Sequence, residues 1–366
     1  NTHKHTKPLT PTEEKIAQIW TQITKNKPNQ KSNFTKNNNS INAIKLVDGI
    51  RKAFPSRSFS IADVFNNPTL EAIAACLEQD QTSGLSVVHL NKGGADGPVY
   101  LFPGLMVNTR EYAPLARHLT ASGIGDRPIT GFVCYSLDEM RSDDATIAKI
   151  AQDYADYIKA QGHTAAATFL GWSWGGILAY ETARLLGPDY PINFVGMLDV
   201  CDLDLNFAVG ALVDINPLQE RALSKVVQDW LPRTKLRAKW EALFRKMDAP
   251  LHRQFLRYVQ TAAGQLPTDG PGIASKEYEL WTFLDNTLVY RQHQIAASDI
   301  PIHVWYAGES VKRELSLVDW NRYSNAVHRI ETIPGVTHRQ IVDSPDFHAS
   351  FAHSLSGAWR KVTEDA

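Results

Sequence analysis

One short segment of the chain has the residue types and spacing of a serine nucleophile. Residues 171–175 read Gly-Trp-Ser-Trp-Gly and fit the pattern G-x-S-x-G. An apolar stretch that predicts a strand precedes this segment, and a helical pattern follows it. The glycines permit a sharp strand-to-helix turn, which would expose Ser173 at the end of the strand. The alternative interpretation is a glycine-rich connection whose serine only caps the helix.

A serine hydroxyl is a weak nucleophile, so it needs a general base that is itself oriented by an acid. His338 is the predicted base, because it follows a late predicted strand and precedes the terminal helix. Two residues compete to be the acid. Asp199 ends the strand predicted after the serine helix, whereas Glu309 follows a later strand. Because Asp199 would lie one strand over from Ser173 at the carboxyl edge of the sheet, the pattern favours Asp199.

The tetrahedral intermediate of acyl transfer needs backbone N–H donors for its oxyanion. The residue after the nucleophile, Trp174, is the first predicted donor. Gly104 is the second, because Pro103-Gly104 follows an early predicted strand. An ordinary turn at the end of that strand is the alternative. No cluster of His, Cys, Asp and Glu has the spacing of a metal site in the sequence, so no metal is predicted.

The segments around these residues alternate between strands and helices from residue 85 onward. Predicted strands cover residues 99–102, 129–135, 168–170, 194–198, 301–306 and 328–333. Predicted helices cover residues 111–120, 147–160, 175–186 and 347–362. This order predicts a parallel sheet with helices on both faces, which is an α/β fold. The alternation stops between residues 205 and 297, where a mostly helical pattern predicts a lid over the site.

The first 80 residues predict a separate helical region. Its first helix begins at a capping box made by Thr10 and Glu13. A second helix begins near Ser40, after a polar and Asn-rich loop, and shorter helical elements cover residues 60–65 and 68–78. Residues 1–85 carry 11 Lys/Arg and 7 Asp/Glu, a net charge of +4, whereas the remaining residues carry 27 and 32, a net charge of −5. This change of charge supports two units.

Composition excludes several classes of protein. The chain has 366 residues, of which 43% are hydrophobic and 21% charged, as in a globular protein of about two domains. It has no apolar run of 18 residues, so we expect no transmembrane helix. The three cysteines are widely spaced, which predicts no disulfide framework and a cytoplasmic location. A net charge of −1 argues against nucleic-acid binding. The polar start at Asn1 is no signal peptide and indicates a piece of a longer polypeptide.

The second region resembles the thioesterase domain that ends nonribosomal peptide synthetases. The matching stretches are residues 101–104, 112–119, 170–176, 196–199 and 334–338. The resemblance extends over residues 86–362, and the segment around Ser173 is its most specific part. It implies an α/β-hydrolase domain with a helical lid, in which the acid follows the strand after the serine helix. That position is Asp199.

The first region resembles the peptidyl carrier domain of the same synthetases. The matching residues are Phe34, Ser40, Ile41, residues 43–47, residues 60–65 and residues 68–74. This family attaches 4′-phosphopantetheine to a serine in a G-G-x-S-L context, so the resemblance implies attachment at Ser40. Asn37 and Asn38 stand where the family has glycines. Asparagine tolerates a left-handed backbone better than most residues do. The helix start at Ser40 also suits a phosphodiester, because unpaired N–H groups and the positive end of the helix dipole meet there.

Together these resemblances predict a small four-helix carrier domain at residues 8–79, a linker at 80–85 and an α/β-hydrolase thioesterase domain at 86–366. The lid would occupy about residues 205–297. The predicted function is release of an acyl or peptidyl chain from the pantetheine thioester through an acyl-serine, by hydrolysis or cyclisation. The implied partners are upstream condensation and adenylation domains, a phosphopantetheinyl transferase and the acyl or peptidyl substrate.

Three other interpretations stay open. One is a stand-alone esterase- or lipase-like hydrolase, against which the carrier-like region argues. Another is the terminal thioesterase of a polyketide synthase, which the same motifs permit. The last is an interaction module with a degenerate carrier and an inactive hydrolase fold. The presence of a serine, a histidine and an acid at the expected positions argues against that module.

Overall fold

The computed structural model describes residues 8–36, 40–54, 59, 61–78, 85, 87–104, 109–124, 126–133, 145–202, 216–230, 237–262, 283–313 and 315–357. The chain divides into two compact units, Asn1–Val88 and His89–Ala366. Most of the predicted linker at residues 80–85 lies outside the described residues. The two units are described separately below.

The first unit contains four helices among its described residues. They are α1 (Pro11–Thr24), α2 (Ser40–Ala53), α3 (Ile61–Asn66) and α4 (Leu70–Glu78). The predicted capping box is present at the start of α1: Thr10 Oγ1 accepts from the Glu13 N–H, and the Glu13 carboxylate accepts from the Thr10 N–H. Lys25, in the left-handed conformation with φ 62°, ends the helix. Such reciprocal caps satisfy N–H groups that the first helical turn leaves unpaired.

A small apolar core holds the first unit together. Trp20 of α1 packs edge-on against Phe34, with ring centroids 4.8 Å apart. The apolar faces of α2 and α4 contribute fully buried side chains to the same unit, including Leu46, Ile50 and Ile73. These residues recur at helical spacing, so the amphipathic pattern in the sequence is what builds the core.

The second unit, with the two residues that precede it, is built on a seven-stranded sheet with the order β1-β3-β2-β4-β5-β6-β7. The strands are β1 (Val87–Asn91), β2 (Val99–Phe102), β3 (Ile129–Phe132), β4 (Ala167–Trp172), β5 (Ile192–Leu198), β6 (Ile302–Ala307) and β7 (Val327–Ile333). In this sheet order, the strands β3, β2, β4, β5, β6 and β7 each pair in parallel with the next strand. Parallel strands that follow one another across helices bring their carboxyl ends to one edge of the sheet.

Helices cover both faces of this sheet. The described helices of the unit are α5 (Ala113–Ala121), α6 (Ile147–Ala160), α7 (Trp174–Leu186), α8 (Pro217–Trp230), α9 (Arg237–Lys246), α10 (Ala249–Ala262), α11 (283–291), α12 (Gly308–Lys312) and α13 (Pro345–Leu355). Leu101 packs into one core with α5 and α13. The next residue, Phe102, contacts Tyr154 of α6 on the opposite face, with ring centroids 5.6 Å apart. This alternation follows the two-residue period of a strand.

The prediction of an α/β fold with a parallel sheet and helices on both faces is confirmed, with local differences. The edge strand β1 was not predicted, because Val87–Asn91 mixes apolar and polar side chains without a clear alternation. The third strand ends at Phe132 rather than residue 135. The terminal helix ends at Leu355 rather than residue 362, since Gly357, with φ 72°, adopts a conformation that closes helices.

The predicted lid lies between β5 and β6, where the described residues form α8 to α11. Trp240 is fully buried and packs against Phe244 and Phe255, with ring centroids 5.8 and 6.1 Å away. Asp248 forms a bidentate ion pair with Arg291, which joins the start of α10 to the end of α11. The segments 203–215, 231–236 and 263–282 of the predicted lid lie outside the described residues. Among the helices of the described segments, none has the length and apolar character needed to cross a bilayer.

Candidate active site

Ser173 lies on a strained turn between β4 and α7. Its backbone has φ 55° and ψ −129°, which is unusual for a residue with a side chain. The Ser173 N–H donates to the Leu198 carbonyl at 2.8 Å, and this bond ties the turn to the end of β5. The Ser173 side chain does not cap the helix that follows. The interpretation of this serine as a simple helix cap is therefore wrong.

The two glycines of the G-x-S-x-G segment are required by close packing. A Cβ atom on Gly171 would collide with the backbone of Gly175. A Cβ atom on Gly175 would lie 2.5 Å from the Pro103 carbonyl oxygen at the end of β2. The glycines therefore let the turn fold on itself and approach the neighbouring strand, as the sequence pattern predicts.

Asp199 is fully buried at the end of β5 and is held by three hydrogen bonds. Its backbone is left-handed, with φ 49°. Oδ1 accepts from the Ala307 N–H at 2.8 Å, and Oδ2 accepts from the Ser310 hydroxyl at 2.7 Å and from His338 Nδ1 at 2.7 Å. A buried carboxylate is costly unless its oxygens are paired, and these bonds supply the pairing.

His338 lies in the loop after β7, with its side chain 39% exposed. An ionised carboxylate can only accept, so the Nδ1 that faces Asp199 carries the proton and Nε2 is left as the acceptor. The His338 carbonyl accepts from the Trp172 indole N–H at 3.0 Å, and the two rings lie 5.2 Å apart. The residue before the serine thus holds the histidine loop in place.

The structure brings Asp199 and His338 together, whereas the competing acid has another partner. Glu309 lies in the short helix α12, and its carboxylate pairs with Lys312 at 2.6 Å. Its N–H donates to the Val336 carbonyl at 3.0 Å, so Glu309 contacts the histidine loop through its backbone. The geometry agrees with the choice of Asp199 over Glu309.

The two predicted oxyanion donors lie beside the serine turn. Trp174 is the first residue of α7, where helical N–H groups have no intrahelical partner. Gly104 is buried at the end of β2, where a Cβ atom would lie 2.9 Å from the Trp172 ring. The residues that follow Gly104, 105–108, lie outside the described residues.

Tyr112 is a buried residue whose role was not predicted from the sequence. Its hydroxyl donates to the Phe102 carbonyl at 2.8 Å and accepts from the Trp172 N–H at 2.8 Å. It therefore joins the end of β2 to the strand that carries the serine. Burial raises the pKa of the Tyr112 hydroxyl well above its usual range, which keeps the group neutral. Only the match of residues 112–119 to the family pattern pointed to this tyrosine.

Ser310 and Ala307, which hold the acid, were also missed. Both lie where β6 passes into the unpredicted helix α12. Nothing in their own sequence context signals a contact with a residue more than a hundred positions away.

Ser40, the predicted attachment site of the first unit, is the first residue of α2. The preceding residues 37–39 lie outside the described residues.

Known proteins support the interpretation of the second unit. The family model of the thioesterase domain matches residues 97–202, a range that contains Ser173 and Asp199. The indigoidine synthase of Dickeya dadantii (strain 3937) is 27% identical over 179 residues, which are 48% of this chain and 12% of that protein. The indigoidine synthase of Streptomyces lavendulae is 29% identical over 184 residues, which are 49% of this chain and 14% of that protein. The chain therefore matches less than a sixth of the length of these relatives.

One similar solved structure is holo-AB3403, a four-domain nonribosomal peptide synthetase bound to AMP and glycine. The match covers 100% of this chain and 27% of that chain, with 19% sequence identity and a TM-score of 0.49. The range that the family model matches contains both the serine turn and the buried acid. Residues 97–202 of this chain are therefore similar to a thioesterase domain.

Proposed function

We propose that this chain is the carrier–thioesterase segment of a nonribosomal peptide synthetase and releases an acyl or peptidyl chain from a thioester. The observation that carries the proposal is the 2.7 Å hydrogen bond between buried Asp199 and His338, beside a serine on a strained turn within a thioesterase domain. A serine, a buried acid and a histidine, in that order along the chain, are the residue types that acyl transfer at such a serine turn uses.

The proposed reaction begins with attack of Ser173 Oγ on the thioester carbonyl carbon. His338 Nε2 takes the serine proton, and Asp199 stabilises the imidazolium through Nδ1–H. The N–H groups of Trp174 and Gly104 would bind the oxyanion. When the tetrahedral intermediate collapses, the C–S bond breaks and the thiol leaves with the proton from His338. The product of this half-reaction is an acyl-Ser173 ester.

The second half-reaction releases the chain from the acyl ester. His338 takes a proton from water or from an internal nucleophile of the chain, which attacks the ester carbonyl. The C–O bond to Ser173 breaks, and Oγ regains a proton from His338. Water gives a free acid, and an internal nucleophile gives a cyclic product. Because both routes use the same residues, the acyl pocket and lid would decide between them.

The first unit would hold the substrate through 4′-phosphopantetheine on Ser40. When bound, this group supplies a thiol that carries the acyl chain as a thioester. Ser40 begins the 14-residue helix α2, where N–H groups without intrahelical partners and the helix dipole favour a phosphodiester. The start of a helix thus fits the charge of the group. A phosphopantetheinyl transferase would add it, and condensation and adenylation domains elsewhere in the synthetase would supply the acyl chain.

The proposal is tested by following product release from the full chain after loading with an acyl-pantetheine group. Ser173→Ala is expected to abolish release while leaving loading intact. Ser122→Ala is the matched control, because this serine is exposed and only caps α5 through its bond to the His118 carbonyl. Release by Ser173→Ala near the wild-type rate would remove Ser173 from the mechanism.

The carrier part is tested separately by peptide-mapped mass spectrometry. Incubation with a phosphopantetheinyl transferase and coenzyme A is expected to place a pantetheine adduct on Ser40. Ser40→Ala is expected to block release of carrier-bound substrate but to spare hydrolysis of a small soluble thioester. If Ser40 takes no adduct while a control carrier is loaded, and simple esters are cleaved faster than thioesters, the chain is a stand-alone hydrolase instead.

A further inference from the structure

We infer that Asp199, Cys201 and His338 form a binding site for a soft divalent cation such as Zn²⁺, and that the bound cation inhibits acyl transfer. One carboxylate oxygen, one sulfur and one imidazole nitrogen lie within 4.8 Å of one another. Within the described part of the chain, this is the one group of three His, Cys, Asp or Glu residues with that spacing. The sequence predicted no metal site, because Cys201 and His338 lie far apart in the chain.

The backbone turn at Asp199 brings the cysteine to the histidine. With φ 49° at Asp199, the chain bends at the end of β5, and Cys201 follows two residues later. Cys201 is held by a bridge to Leu317, and its carbonyl accepts from the Tyr290 hydroxyl at 3.2 Å. Its sulfur lies 3.8 Å from the Asp199 carbonyl oxygen. The thiol is therefore fixed beside the acid.

The three ligands match the preferences of zinc rather than those of hard cations. Zn²⁺ takes Cys sulfur at about 2.3 Å and His nitrogen or carboxylate oxygen at about 2.0–2.2 Å, often with three protein ligands and one water. Such ligands stand roughly 3.3–3.7 Å apart around a tetrahedral ion. The three ligand atoms now lie within 4.8 Å of one another, so changes of about 1 Å in their separations would let them surround the ion. Mg²⁺ and Ca²⁺ need mainly oxygen ligands, and this site offers one carboxylate.

Binding is balanced by the release of one proton. The Cys201 thiol is buried beside Asp199 and carries its S–H hydrogen before the cation binds. Formation of the Zn–S bond breaks the S–H bond, and that proton passes to the solvent. At His338 the cation replaces hydrogen on Nδ1, and the displaced proton is taken up at Nε2 through solvent. Neither the metal nor the protein changes oxidation state.

Inhibition follows from this change of tautomer. With a proton on Nε2, His338 can no longer accept the proton of Ser173, and Asp199 no longer orients the ring through a hydrogen bond. This consequence rests on the proposed function, whereas the metal site itself does not. Half-exposed His338 provides the way in for the cation, since Asp199 and Cys201 are buried.

Cobalt(II) tests the site without any use of activity. The full chain, free of affinity tags and stripped with a chelator, is titrated with CoCl₂ and followed by absorption. We expect a near-ultraviolet sulfur-to-cobalt charge-transfer band in wild type that Cys201→Ala abolishes. Cys76→Ala is the matched control, because Cys76 is also buried but belongs to no three-ligand group among the described residues. Cys201→Ser replaces the alanine variant if the latter fails to fold.

Zinc then tests the consequence for turnover of a small soluble thioester. We expect ZnCl₂ to inhibit wild type and Cys76→Ala, and a chelator to restore activity. Cys201→Ala should keep its basal activity but require at least about tenfold more zinc for half-maximal inhibition. Loss of an outer-shell partner alone lowers metal affinity by about tenfold or more, so loss of a direct ligand should cost at least as much. Equal sensitivity of wild type and Cys201→Ala, or absence of the thiolate band, overturns the site. A thiolate band in a chain that cleaves no thioester keeps the site and refutes the proposed function.

Discussion

Tyr112 gives a direct test of how the site is held together. Its hydroxyl joins the Phe102 carbonyl and the Trp172 N–H, both buried between β2 and β4. Tyr112→Phe removes that hydroxyl and leaves the ring in place. A buried backbone group left without its partner costs about 1–3 kcal/mol, so the two groups together cost about 2–6 kcal/mol. At about 2 °C per kcal/mol for a domain of this size, Tm falls by roughly 4–12 °C.

Tyr100→Phe is the matched control for this change. Tyr100 is also a buried tyrosine in β2, but its hydroxyl has no hydrogen-bond partner among the described residues. Removing that hydroxyl is expected to leave Tm unchanged or to raise it slightly, because an unpaired buried polar group is lost. The two variants differ in the partners of the hydroxyl and not in the chemistry of the substitution.

Tryptophan fluorescence during thermal unfolding is a suitable assay, because eight of the nine tryptophans follow residue 88. The same variants are assayed for thioester turnover. Tyr112→Phe should lower turnover as well, since Trp172 positions both the serine turn and the His338 loop. If Tyr112→Phe unfolds at the wild-type temperature, or if Tyr100→Phe is the less stable of the two, the reasoning is wrong.

Two further predictions concern carboxyl groups. Asp199→Asn should lower turnover by roughly 10³–10⁴-fold, because an amide cannot hold the productive histidine tautomer. Turnover by Glu309→Gln should stay near that of wild type. The reverse ranking in a steady-state assay would move the acid to Glu309. Burial raises the pKa of Glu111 from 4.5 to about 7, with Arg339 opposing the shift and Asp343 adding to it. The contribution of Glu111 to the free energy of unfolding is therefore full below about pH 4.5 and is lost as pH rises through about 7. Glu111→Gln should therefore flatten the fall of Tm between pH 5 and 8, and parallel Tm profiles for the two proteins would contradict this.

Local patterns made much of the fold predictable. The Thr10 capping box, the serine turn and the alternation of strands and helices each depend on residues close in sequence, and each is present in the structure. The pairing of Asp199 with His338 was also predictable, because parallel strands bring their carboxyl ends to a common edge. These features require only periodicity, turn chemistry and the order of the strands.

Contacts that depend on side-chain direction were not predictable. The hydroxyl of Tyr112 reaches a backbone group 60 positions away, and Ser310 reaches Asp199 across 111 positions. No single-sequence pattern encodes such pairs. The same holds for Cys201, whose nearness to His338 depends on the left-handed backbone at Asp199. An aspartate tolerates that conformation, but its residue type alone does not require it.

The sheet order explains how Asp199 and His338, the proposed acid and base, stay aligned despite the long predicted lid. Asp199 ends β5 and His338 follows β7, so β6 lies between them in the sheet. The end of β6 fills that gap, because Ala307 and Ser310 donate to the Asp199 carboxylate and fix it toward the histidine. The chain leaves the sheet after β5 and returns in the adjacent strand β6, so the predicted lid begins and ends at neighbouring strands. A change in the length of the segment between β5 and β6 would therefore leave β5, β6 and β7 free to keep Asp199 and His338 in register.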